Sequence, residues 1–179
     1  MHTDPIFIIA NAIAIAVLLA SAATHKLRAP ARFARQLADY QLLPQALVRP
    51  TARLVPMLEL AIAFALLVPV SRGYAALGAA SLLALYAVAI GINLWRGRAD
   101  IDCGCAGPDQ AQPLRPVLLL RNSVLVALAL LASVAPVVRD MTVFDGFVTL
   151  AAAAVALLIY AAADGLLANS PFLLKLIGR

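Results

Sequence analysis

The sequence predicts an all-α fold: a polytopic helical membrane bundle of four to five transmembrane helices, with an interfacial amphipathic helix after the first. Three observations carry that expectation. Hydrophobic residues make up 64% and charged residues 13% of the 179-residue chain, and its mean hydropathy is +0.94, far from the balance of a soluble domain. Apolar stretches of roughly 20 residues, the length a bilayer core requires, recur from end to end. Lysine and arginine gather in the segments flanking those stretches, as they do in membrane proteins.

The expected spans run over about 5–24, 53–70, 74–94, 116–138 and 146–167. Little chain is left over, so residues 1–179 read as one integral-membrane domain. The first span is preceded by Met1-His2-Thr3-Asp4, which lacks the positive flank of a secretory signal. Its apolar run is also longer than a signal needs, so it is expected to stay in place. The connection over residues 26–53 carries Lys26, Arg28, Arg32, Arg35, Arg49 and Arg53 against one acid, Asp39. Phe33, Leu37, Tyr40 and Leu43 recur there at helical spacing, giving an apolar stripe opposite the basic residues. That pattern predicts a helix lying on the membrane surface and ended by Pro44; a solvated basic loop is the alternative.

Ser71-Arg72-Gly73 joins spans two and three into a tight hairpin, and residues 139–145 join spans four and five. Pro69 and Pro136 fall near span ends, where a missing backbone donor does least harm. Alanine-rich stretches at 75–80 and 151–156 allow close helix approach in lipid.

Alternation of five spans leaves only Arg72 and Arg139, of 14 Lys and Arg residues, on the side of the N-terminus. The positive-inside rule then directs the opposite side to the cytoplasm. The net charge of +5 is of this flanking kind, and no nucleic-acid partner is expected; the lipid bilayer is the expected surround.

The chemistry-bearing feature is Asp102-Cys103-Gly104-Cys105-Ala106-Gly107, a polar loop holding both cysteines of the chain. Cysteine packs well in apolar cores, so placing the pair on a glycine-framed loop points to thiol–disulfide exchange. A bridge across one residue needs a backbone turn to bring the Cα atoms within about 4.4–6.8 Å, and Gly104 permits it. Such a bridge is strained and readily exchanged. Arg96 and Arg98 would favour a thiolate while Asp100 and Asp102 would oppose it. Two inert thiols are the plain alternative. A zinc site is disfavoured because the one-residue spacing is not the usual ligand spacing.

Glu59 lies within the second span, where a carboxylate must be neutral or paired. His25 and Lys26, closing span one, and Arg121, opening span four beside Asn122, enter from the same side. They are expected either as structural ion-pair members or as supporting groups for the dithiol. Asp164 is read as approaching the polar boundary, and Trp95 as an interfacial anchor. No nucleotide fingerprint, haem ligand pair or Ser/His/Asp arrangement stands out. No cofactor is identified; a quinone would suit a membrane thiol oxidase, but no motif demands one.

Several local sequences together resemble the MauE family, within the wider DoxX-like group. They are Ser21-Ala22-Ala23-Thr24-His25-Lys26-Leu27, Asp39-Tyr40-Gln41-Leu42-Leu43-Pro44, Met57-Leu58-Glu59-Leu60, residues 93–98, the cysteine loop and Arg121-Asn122. The likeness covers roughly residues 10–135; the family often has a bulkier residue where Ala106 stands, and the fifth span is not distinctive. The resemblance implies a protein of the bacterial inner membrane that supports maturation of the disulfide-rich methylamine dehydrogenase small subunit, together with a periplasmic thioredoxin-fold protein. It also implies that Cys103 and Cys105 are the exchanging pair. The layout is similar to vitamin K epoxide reductase, with a thiol pair at the head of a span. A periplasmic partner calls for the cysteine loop outside, opposite to the charge count. Members also occur away from methylamine operons, so the client does not transfer with the family. The alternatives are a non-catalytic scaffold or chaperone for a maturation factor, and a DoxX-like small transporter or quinone-associated subunit that depends on Glu59.

Overall fold

Asp4 starts the first helix: its carboxylate accepts the backbone N–H of Ile6 at 2.9 Å, and Pro5 occupies the first helical position, where the absent donor is harmless. The computed structural model describes residues 3–104 and 112–176, with side chains described to residue 167 and at 169. Six helices make up the described chain: α1 (Pro5–Arg28), α2 (Pro30–Asp39), α3 (Gln45–Leu67), α4 (Arg72–Trp95), α5 (Pro116–Ala132) and α6 (Val143–Leu176). No strand forms among the described residues, only two isolated bridges, Thr3 with Pro136 and Asp102 with Pro113.

Among the described residues, four helices are long and apolar enough to cross a membrane: α1, α3, α4 and residues 143–167 of α6. The fifth apolar helix, α5, has 17 residues, a rise of about 25 Å. It ends at Ala132 rather than running to 138. The side chain of Ser133 turns back to the Leu130 carbonyl at 2.7 Å, and Pro136 both lacks a donor and disfavours helix in the residue before it. The chain then lies along the N-terminal segment, with the Val137 N–H donating to the Thr3 carbonyl at 3.1 Å. α6 begins three residues before the expected position because Thr142 and Asp145 form a reciprocal cap. The Thr142 N–H donates to the Asp145 carboxylate at 2.8 Å, and the Asp145 N–H to the Thr142 hydroxyl at 3.2 Å.

The amphipathic helix expected after the first span is present as α2, and Pro44 separates it from α3. α3 starts earlier than the sequence predicts and carries Pro50 and Pro56 inside it. Residues 45–47, at its start, are exposed, and the Ala46 carbonyl that Pro50 leaves unbonded within the helix lies there. α3 and α4 are joined by residues 68–71 instead of 71–73. Trp95 ends α4 and is 89% exposed.

Alanine dominates the core. Ala12 and Ala16 of α1, Ala63 of α3, Ala76 and Ala79 of α4 and Ala129 of α5 pack with Ile15, Leu19, Leu66 and Leu125. Without a strong hydrophobic force between helices in lipid, such small faces let backbones close on one another. The opposite faces carry exposed Phe64, Leu54, Leu120 and Ile159, the surface of a chain surrounded by hydrocarbon. The helices alternate direction. Asp4, Arg139 and Asp145 cluster at one end, with Arg139 donating to Asp4 at 3.0 Å and to Asp145 at 2.9 Å. Lys26, Cys103 and Arg121 share the other end.

Candidate functional site

The segment leading into Cys103 is tied down at several points. Asp102 anchors it: one carboxylate oxygen accepts from Gln36 at 2.7 Å and Arg32 at 3.3 Å, both on α2. The other accepts the N–H groups of Gly104 at 3.3 Å and Gln112 at 3.2 Å. The Cys103 N–H donates to the Gln112 carbonyl at 2.8 Å, and the Tyr40 hydroxyl donates to the Cys103 carbonyl at 3.1 Å. Gly104 has φ +74°, a left-handed backbone conformation that glycine adopts without strain. Cys103 itself is only 7% exposed and packs with Tyr40, Ile90, Leu114 and Leu118. Cys105, the other half of the expected pair, lies outside the described residues.

α2 therefore has two jobs. Its polar face holds the loop through Arg32 and Gln36, while Phe33 and Leu37 line a cavity below it. The apolar stripe read from the sequence is the face turned to the bundle.

Beneath this cap, Lys26 of α1 is paired with Glu59 of α3, and the two side chains are 8% and 0% exposed. The Tyr86 hydroxyl of α4 donates to the same carboxylate oxygen at 2.7 Å. The Lys26 ammonium also lies 5.0 Å from the Tyr86 ring and 5.2 Å from the Phe33 ring, close enough for cation–π attraction. Three helices are thus tied at one buried charge pair. His25, the neighbour of Lys26, has a buried Nδ1 with no hydrogen-bond partner among the described residues. It lines a small cavity of about 20 Å³ with Arg32, Gln36 and Gly104, room for a single water.

Arg121 does not join Glu59. It pairs with Asp164 of α6 and sits 5.9 Å from the Tyr160 ring. Its second guanidinium nitrogen is 4.0 Å from the Cys103 sulfur. The cation beside this sulfur is therefore Arg121, from 18 residues further along the chain, rather than a flanking arginine. Arg98 instead points to the Tyr40 carbonyl and the Asn93 side chain, each at 3.5 Å. Asn122 is buried, with its amide nitrogen unbonded among the described residues.

A cavity of about 370 Å³ opens between α2, α3 and α4. Its walls are almost wholly apolar, and Lys26, Tyr86, Gln36 and Cys103 lie in its lining.

The family model for methylamine utilisation protein MauE matches residues 4–135. The chain belongs to the MauE family. The methylamine utilization protein MauE of Methylophilus methylotrophus is 39% identical over 166 residues, covering 92% of this chain and 87% of the relative. That of Paracoccus denitrificans is 39% identical over 162 residues, covering 90% and 87%. That of Methylorubrum extorquens is 42% identical over 150 residues, covering 82% and 80%. No solved structure matches the chain.

Lys26, Glu59, Tyr86, Cys103, Cys105 and Arg121 all fall within the MauE match, whereas Asp164 lies beyond it. Of the residues expected from the sequence, the fold brings Lys26 to Glu59 and Arg121 to Cys103. His25 stays near both Lys26 and Gly104. Tyr86, Gln36, Tyr40 and Asp164 were not singled out as parts of the site. The signal for Tyr86 was a phenol inside an apolar run, which needs a polar partner when buried. The signal for Asp164 was a second intramembrane carboxylate without an assigned cation.

Proposed function

We propose that this MauE-family chain is a multi-pass protein of the bacterial inner membrane that relays thiol–disulfide exchange to a disulfide-containing client through a thioredoxin-fold partner. Methylamine utilisation, the role carried in its relatives' names, is the pathway proposed for it, with the dehydrogenase small subunit as client. The observation that supports this reading best is the anchoring of Cys103. Four partners hold the Asp102 carboxylate, and Arg121 stands beside the sulfur. A thiol kept for packing alone needs neither.

In the proposed exchange, a thiolate of the Cys103/Cys105 pair attacks the partner's disulfide. One partner sulfur leaves as thiolate and a mixed disulfide forms. The second cysteine of the pair then attacks its own bonded neighbour, releasing the partner as a dithiol and leaving the pair oxidised. The reverse sequence passes two electrons from partner to pair, leaving the partner oxidised and able to form disulfides in the client. Arg121 would favour the negative sulfur formed at each displacement, while Asp102 fixes where that sulfur sits.

A second reading has one observation in its favour. Cys103 is largely shielded, as it would be in a scaffold that docks a maturation factor through the basic face of α2. The Cys103→Ser/Cys105→Ser variant separates the two. Under the relay, mixed disulfides with the thioredoxin-fold partner disappear and client disulfides fail to form; under the scaffold, client maturation continues. Labelling intact cells with a membrane-impermeant maleimide after mild reduction tests the side of the loop. An outward loop serves a periplasmic partner despite the Lys and Arg count.

A further inference from the structure

We infer that the cavity between α2, α3 and α4 seats one acyl chain of an anionic phospholipid whose phosphate lies on Arg96. The inference stands apart from the thiol chemistry and needs only the membrane setting of the bundle and the shape of this face.

The cavity, about 370 Å³, lies within the roughly 300–1,000 Å³ of small-molecule sites. Phe33 and Leu37 of α2 and Leu82 and Ala89 of α4 are among its walls. The long polar side chains that reach the lining are already engaged: Lys26 and Tyr86 both bond Glu59, and Gln36 bonds Asp102. An occupant therefore needs no hydrogen-bonding group of its own, and hydrocarbon is what these walls complement. An extended peptide would bring backbone donors and acceptors that they do not satisfy. Leu85 and Val88, also in the lining, are 64% and 57% exposed on the outer face of an apolar helix, so the mouth opens to lipid.

The same stripe of α4 continues to headgroup level. The Arg96 N–H donates to the Ile92 carbonyl at 3.0 Å, which sets Arg96 one helical turn beyond Ile92 of the cavity wall. Trp95 lies two turns beyond Val88, and both Trp95 and Arg96 are exposed, as expected at a membrane–water boundary. From Arg96 back to Leu85 is about 16 Å at 1.5 Å per residue. That depth is close to one leaflet, half of a hydrocarbon core of roughly 30 Å. Among the described residues no carboxylate pairs with Arg28, Arg35, Arg49, Arg53 or Arg96, against two exposed acids at this end, Asp39 and Asp100. A chain in the cavity thus brings its phosphate to an unpaired guanidinium, a group shaped to hold it. The excess of cations favours a lipid with net negative charge over a zwitterionic one. Because Phe33 and Leu37 face the cavity, the chain packs against the helix that holds Asp102.

The test uses the full chain, delipidated in a neutral detergent, and native mass spectrometry with palmitoyl-oleoyl phosphatidylglycerol or the phosphatidylcholine of the same chains. One phosphatidylglycerol should be retained per chain, at least tenfold more tightly than phosphatidylcholine. Arg96→Gln should erase that preference and leave phosphatidylcholine binding as it was. Ala89→Phe, which fills the cavity, should weaken both lipids at least tenfold. Val88→Trp, which narrows the mouth from an exposed position, should do the same and keeps the test decisive where Ala89→Phe disturbs helix packing. Dihexanoyl phosphatidylglycerol, with the same headgroup on short tails, should bind at least tenfold more weakly, and excess inorganic phosphate should displace nothing. Retention that Val88→Trp leaves unchanged, or equal retention of the dihexanoyl lipid, means a headgroup held at the surface and overturns the cavity assignment. Equal retention of the two long-chain lipids by the unaltered chain, or displacement by phosphate alone, overturns the anionic-lipid assignment.

Discussion

Arg121 of α5 places one guanidinium nitrogen 4.0 Å from the Cys103 sulfur while another holds Asp164 of α6. The last helix is thereby coupled to the loop through a single side chain. A planar guanidinium can serve both groups at once, which a lysine ammonium does less well.

Arg121→Gln should slow the reaction of the dithiol with an aromatic disulfide reagent about tenfold, equivalent to about 1.4 kcal/mol. Arg121→Lys should recover part of that rate. Asp164→Asn leaves the cation in place but loosens its hold, so its effect should be smaller than that of Arg121→Gln. Stopped-flow release of the reagent's chromophore measures all three.

The Lys26–Glu59 pair is buried among three helices, so removing one partner strands the other. Lys26→Met should destabilise the bundle by about 3–5 kcal/mol, and Lys26→Met/Glu59→Leu should regain most of it. Thermal unfolding in nanodiscs, followed by circular dichroism, reads the difference. Equal losses in the single and double variants would mean that the pair is not the source of the cost.

Gly104→Ala forces a side chain into a left-handed backbone, where its Cβ would meet the Gln36 amide oxygen at 3.2 Å. The backbone strain alone is about 1–2 kcal/mol. Hydrogen exchange at the Cys103 amide, which donates to Gln112, should accelerate roughly tenfold if that strain reaches the loop.

At the other end of the bundle, hydrogen bonding from Arg139, with a smaller share from the Ile6 N–H, holds the Asp4 carboxyl below its usual value of 3.8. A depressed carboxyl stabilises the fold fully above that usual value and loses its contribution as pH falls through the lowered one. Thermal stability should therefore be indifferent to this group from pH 8 to 5 and should decline below about pH 4. Asp4→Asn should flatten the part of that decline due to Asp4. Because the carboxylate is substantially exposed, added salt should shrink the effect.

The membrane bundle was legible in the sequence because hydropathy and length constrain a chain in lipid more tightly than any other solvent does. α2 was legible for a related reason: Phe33, Leu37 and Tyr40 could form one face only as a helix. Helix ends were less so. α5 ends where the Ser133 hydroxyl turns back to Leu130, the segment beyond it is held by the pairing of Pro136 with Thr3, and the start of α6 depends on a reciprocal cap that composition does not reveal. The site divided the same way. Lys26 and Glu59 stood out because a buried charge requires an opposite one, but two cations were available and only packing decides which is used. Tyr86 carries its hydroxyl on an otherwise apolar ring and disappears into a hydropathy pattern. Arg96 and Arg98 were the near neighbours of Cys103 in sequence, whereas Arg121 is its neighbour in space because α5 returns beside the loop.

The most direct test of the relay is the redox state of the cysteine pair in cells that express the thioredoxin-fold partner. Proteins are trapped with acid, alkylated, digested without reductant and weighed by mass spectrometry. The relay predicts a peptide in which Cys103 and Cys105 are joined, two hydrogens lighter than the dithiol, and a mixed disulfide with the partner when either cysteine alone is changed to serine. Two fully alkylated thiols at all times, with no partner-linked species from either single variant, would contradict it.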